Sequence, residues 1–135
     1  MVMFVKNLSK DDREHLLNLI YLVAKIDGDY ADEENEVLEK YRREMKLDEL
    51  KILSDNITDL IMYFADKETK LKKIVLFEVC SMVLADEQFV NREKVVVDTI
   101  RSSFGFTLAQ ANELFSLVLE QKKLNEKILE VMNAE

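Results

Sequence analysis

Asp27, Asp29, Asp32 and Glu34 crowd into the segment AKIDGDYADEENEV, residues 24–37, directly after an apolar run. Two carboxylates held ~4 Å apart repel by about 4 kcal/mol at an effective dielectric of 20. A shared proton, backbone N–H donors or a divalent cation removes that cost. The donors here are all oxygens, which suits Ca2+, Mg2+ or Mn2+. Structural zinc is a poor match, because the chain has one His and one Cys. The EF-hand spacing also fails. With Asp27 as first ligand, Ala31 falls fifth, Asp32 stands where the turn glycine belongs, and Leu38 takes the place of the bidentate Glu.

A second stretch, LADEQFVNREKV at 84–95, repeats the pattern with fewer acids. A shift of 59 positions lays Asp27 on Asp86, Tyr30 on Phe89, Asp32 on Asn91, Glu34 on Glu93, Val37 on Val96, Tyr41 on Ile100, Met45 on Phe104 and Asp48 on Thr107. The repeat pairs 16–48 with 75–107 and predicts one domain, 1–135, made of two similar halves. In each copy an Asp follows a helix, where it meets the negative end of the macrodipole. A Glu then enters the first turn of the next helix, where side chains slant back toward the junction. Asp27, Asp29, Asp32, Glu34, Asp86 and Glu93 are the candidate metal ligands. The competing reading needs no metal: the Asp accepts loop N–H groups and the Glu complements a helix N-terminus.

The elements that must carry these residues are helical. The chain has no proline and two glycines, with 48% hydrophobic and 34% charged residues, so a single all-α domain with its own core is expected. Ser9 is placed to cap a first helix, most apolar over 13–26, and a second begins at Asp32, with Leu38, Tyr41, Met45 and Val37 on its inner stripe. Asp48 is read as the cap of a short third segment, and Asn56 or Thr58 as the start of a brief helix carrying Leu60, Ile61 and Phe64. Long helices follow over 67–85 and 91–104. Gly105 serves as a left-handed stop, Thr107 with Gln110 forms a capping box, and 124–132 is a last amphipathic segment. The expected architecture is a compact bundle of seven or eight helices, with 13–26 and 67–85 the most buried.

The remaining chemistry is sparse. A net charge of −8 opposes binding to nucleic acid or anionic membranes. The most apolar segment, 74–85, carries Glu78 and is far shorter than the roughly 20 residues of a membrane span. The N-terminal residues lack a basic leader and a cleavage site, so a cytoplasmic protein without membrane insertion is expected. Cys80 reads as a small core residue and His15, in DDREH, as solvated surface. No glycine-rich phosphate loop is present, and no organic cofactor is expected.

These residues resemble the TerB-like tellurite-resistance domain family. AKIDGDYADEE matches its pattern at Ala24, Asp27, Gly28, Tyr30 and Glu34, and LADEQFVNRE at Asp86, Phe89 and Glu93, with Glu87 in place of the glycine. The resemblance covers about 10–122. It implies an all-helical domain, divalent metal binding, protein partners in membrane-linked or multi-protein complexes, and a role in tellurite or other stress resistance. The expected function is thus a non-enzymatic module that binds a divalent cation at its acidic inter-helix loop and mediates protein interactions. A metal-independent acidic adaptor for a basic partner is the second reading. A hydrolase using metal held by Asp27 and Glu34 is the third.

Overall fold

Ser9 opens the first helix through its side chain, whose hydroxyl accepts from the Asp12 N–H at 3.1 Å, while Asp11 and Asp12 occupy the positive end of the dipole. A computed structural model describes residues 4–26, 32–85 and 91–134, with the backbone alone at 32–34, 85 and 91–93. Six α-helices are present among them: α1 (Lys10–Ala24), α2 (Asp32–Glu44), α3 (Ile57–Ala65), α4 (Thr69–Ala85), α5 (Asn91–Ser103) and α6 (Leu108–Asn133). A single 3-10 turn, Val5–Asn7, precedes α1. No strand occurs among the described residues.

The all-α bundle is as expected, but the expected seven or eight helices reduce to six, for two physical reasons. Residues 48–56 do not form a helix and Asp48 caps nothing helical. Asn18, fully buried on α1, accepts the N–H of Leu53 at 2.8 Å and of Ser54 at 3.0 Å, and a salt bridge of 3.0 Å joins Glu14 to Lys51. The amides a helix would need are thereby spent on α1. Asn56 then restarts the chain, its side chain accepting the Thr58 N–H at 2.9 Å to cap α3. The second reason is α6, where 124–132 is no separate segment. Nothing between Leu108 and Asn133 breaks the helix, and Lys, Glu, Leu and Gln all favour its continuation.

Helices α1 and α4 touch each other; α2 and α3 pack on α1, and α5, α6 and again α3 pack on α4. Leu16, Leu17, Ile20 and Val23 of α1 and Val75, Leu76, Val79 and Val83 of α4 are all at most 1% exposed. Full burial of each contributes about 1.5–3 kcal/mol. Val37, expected on the inner stripe of α2, is instead 36% exposed, while Leu38, Tyr41 and Met45 are buried.

Helices α2 and α5 end in the same way. Beyond α2, Lys46 takes a left-handed backbone at φ 57°, the Leu47 N–H donates to the Arg42 carbonyl and the Lys46 N–H to that of Arg43. Beyond α5, Gly105 takes φ 77°, Phe106 donates to Arg101 and Gly105 to Ser102. Both are Schellman stops. Arg42 donates through Nη1 to the Leu47 carbonyl at 2.6 Å and pairs through Nη2 with Glu39 at 3.0 Å, as Arg101 donates through Nη1 to the Phe106 carbonyl at 2.7 Å and pairs through Nε with Asp98 at 2.9 Å. From the preceding central helix, Arg13 reaches the Met45 carbonyl at 2.8 Å and Lys72 the Phe104 carbonyl at 3.2 Å. Every residue of the first set precedes its counterpart by the same 59 positions.

Candidate functional site

The two acidic junctions run from α1 to α2 and from α4 to α5. Helix α1 closes at Lys25, whose N–H reaches the Tyr21 carbonyl at 3.2 Å, and Ile26 adds a bond to Val23. Asp32 is the first residue of α2 and Glu34 lies in its first turn, while Glu93 lies in the first turn of α5. These three backbone positions agree with the sequence reading. Asp27, Asp29 and Asp86 fall outside the described residues, as do the side chains of Asp32, Glu34 and Glu93. Among the described residues no three His, Cys, Asp or Glu side chains gather as ligands for one ion.

The α1 end of the first junction borders an open cleft of about 640 Å3, walled by Tyr21, Leu22, Lys25 and Ile26 on one side and Ile52, Asp55 and Ile57 on the other. Lys25 Nζ donates to the Tyr21 hydroxyl at 2.9 Å and stands 4.9 Å from that ring's centroid. The cleft owes its far wall to Asn18, since the loop that supplies Ile52 and Asp55 is the one Asn18 holds.

Two polar clusters were not anticipated. His15 is not simply solvated: its ring stacks on Tyr63 of α3 with centroids 3.5 Å apart and an interplanar angle of 2°, and its Nδ1–H donates to the Asp11 carbonyl at 2.7 Å. Tyr63 donates its hydroxyl to Asp12 at 2.8 Å, and Lys67 sits 4.6 Å from the Tyr63 centroid. Burial, and then the hydrogen bond to Asp12, push the Tyr63 phenol up to about 12. The imidazole, phenol and carboxylate thus hold one another, and the cluster ties the start of α1 to α3.

The second cluster is Glu78 and Tyr41. Glu78 is 1% exposed in the middle of α4, where its only trace in the sequence is a lone acid inside an apolar run. Burial, followed by the carboxylates of Glu78 and Glu44, drives the Tyr41 phenol well above its ordinary range. The Glu78 carboxylate thus lies close enough to the Tyr41 phenol of α2 to disfavour its ionised form. Cys80, two residues on, is fully buried, and burial pushes its thiol up to about 12, away from the thiolate form a nucleophile needs.

No described helix is long and apolar enough to cross a membrane. Comparison with protein-family models, with curated proteins and with solved structures finds no match for this chain.

Proposed function

We propose that the chain is a TerB-like, non-enzymatic helical module of two similar halves, which binds a divalent cation at its first acidic junction and mediates protein interactions in a stress-resistance system. The observation that carries this reading is positional. Asp27 and Asp29 lie between α1 and α2, and Asp32 and Glu34 occupy the first turn of α2, so four carboxylates share one short helix-to-helix junction beside an open cleft. The identical stops after α2 and α5 support the two-halves part of the proposal, because the same capping device recurs at the spacing of the acidic segments. The second junction keeps Asp86 and Glu93 but has Gln88 and Asn91 in place of acids, which makes it the weaker site.

The test is thermal melting against Ca2+ or Mn2+. A cation bound only by the folded state stabilises it by about 2.7 kcal/mol at a hundredfold excess over Kd. Asp27→Asn should abolish that gain and leave the metal-free protein as stable or slightly more so, one repelling charge having gone. Asp86→Asn should change it less. The net charge of −8 favours the alternative, an adaptor for a basic partner. That reading is supported if metal leaves melting unchanged while Asp27→Asn costs the metal-free protein about 1 kcal/mol through lost loop hydrogen bonds.

A further inference from the structure

The second half of α6 is exposed, with Asn125, Glu126 and Leu129 facing α2 across an open groove. From Lys123 to Ala134 every residue is exposed, a length of about 16 Å at 1.5 Å per residue. This end is not polar. Leu124, Ile128 and Val131 are 57%, 46% and 70% exposed, and with Gln121 and the 48%-exposed Leu117 they form one stripe whose steps alternate four and three residues. That is the 3.5-residue period of a helix seam that faces another helix. At its body end the stripe runs into a groove of about 450 Å3 between α4 and α6, walled by Phe4, Ile74, Phe77, Leu114 and Leu117.

We propose that two copies of this chain pair through antiparallel α6 helices, the exposed end of each lying in the groove of the other. The register follows from the stripe. Setting Gln121 against Leu124 of the second copy places Leu117 against its Ile128 and Leu114 against its Val131. Each apolar end thereby covers the groove-lining residues of its partner, and the symmetry closes with both grooves filled. Charge selects this arrangement. Glu120 and Lys127 flank the stripe on the same side, seven residues apart. In the antiparallel register Glu120 of one copy meets Lys127 of the other, twice over. A parallel pair would set Glu120 near Asn125 and Lys127 near Met132, with no complement and both grooves left open. The pairing goes beyond the cation reading and does not depend on it.

Sedimentation equilibrium on the full chain tests the pairing at roughly 100 µM, above the micromolar Kd that a small interface supports. The expected mass is twice 15.8 kDa. Ile128→Glu should return it to the monomer with helix content and melting retained, since this residue lies in the exposed end. Glu120→Lys and Lys127→Glu should each weaken the dimer about tenfold, and the double variant should restore it. A wild-type monomer at this concentration would overturn the proposal. So would a dimer indifferent to Ile128→Glu, or a double variant no tighter than the singles. A chain that stays monomeric but binds neutral phosphatidylcholine vesicles through the same stripe would assign it to a lipid surface instead.

Discussion

Lys46 and Gly105 occupy the same place in two helix stops, at φ 57° and φ 77°, yet only one of them is the residue type suited to that backbone. A left-handed conformation costs a residue with a Cβ about 1–2 kcal/mol. Glycine at such a site gives back about 0.4–1 kcal/mol through the greater freedom of the unfolded chain. The exposed Lys46 side chain is not part of the core, so Lys46→Gly should stabilise the protein by about 0.5–1 kcal/mol. At Gly105 an added Cβ would meet no atom within 4 Å, which leaves only the backbone term. Gly105→Ala should therefore destabilise by a similar amount. For a chain of 135 residues either change moves Tm by roughly 2–5 °C, in opposite directions. Urea and thermal melts of the two variants and their double would measure both, and distant sites should add to within about 0.5 kcal/mol. A loss of stability beyond about 0.5 kcal/mol in Lys46→Gly, or an unchanged Gly105→Ala, would refute the argument that left-handed geometry ends these helices.

Tyr63 is pushed up to about 12 from an ordinary 10.0, so the fold favours its neutral form. Its contribution is fully present below pH 10.0 and is lost as pH rises through about 12, so stability should fall more steeply across that window in the wild type than in Tyr63→Phe. Equal slopes in the two proteins would mean that the fold does not favour the neutral phenol. The Cys80 thiol is buried and held up at about 12. At about pH 8, labelling by an aromatic disulfide reagent should track unfolding. Complete labelling within seconds in the native state would mean that α4 is not the central helix described.

The parts of the fold that could be read from the sequence are those whose cause is local. Ser9, and Thr107 with Gln110, announce their helices because the groups they cap lie within three residues. Gly105 announces a stop because it alone suits φ 77°. Lys46 makes the same stop without any such signal, with Arg42 of its own helix and the distant Arg13 of α1 bonding the carbonyls around it. Residues 48–56 show this more strongly. Their conformation is set from α1, by Asn18, 35 positions before Leu53, together with Glu14. The acidic neighbours of His15 point to solvent, whereas the ring that covers it belongs to α3. For the candidate site, the sequence located Asp32, Glu34 and Glu93 at helix starts, where capping and charge are legible. Whether carboxylates converge turns on Asp27, Asp29 and Asp86, whose side-chain directions no helical period dictates.

The dependence of loop 48–56 on one carboxamide has a consequence for how the molecule breathes. Leu53 and Ser54 have their N–H groups bound to a single oxygen, that of Asn18, so one rotation about that side chain exposes both. Their amide protons should then exchange with solvent as a pair, with one shared opening energy below that of global unfolding, because no turn of helix need unwind. The same opening would move Ile52 and Asp55, the outer wall of the cleft beside the α1 end. The width of that cleft is therefore governed from inside the core, by a residue that does not line it.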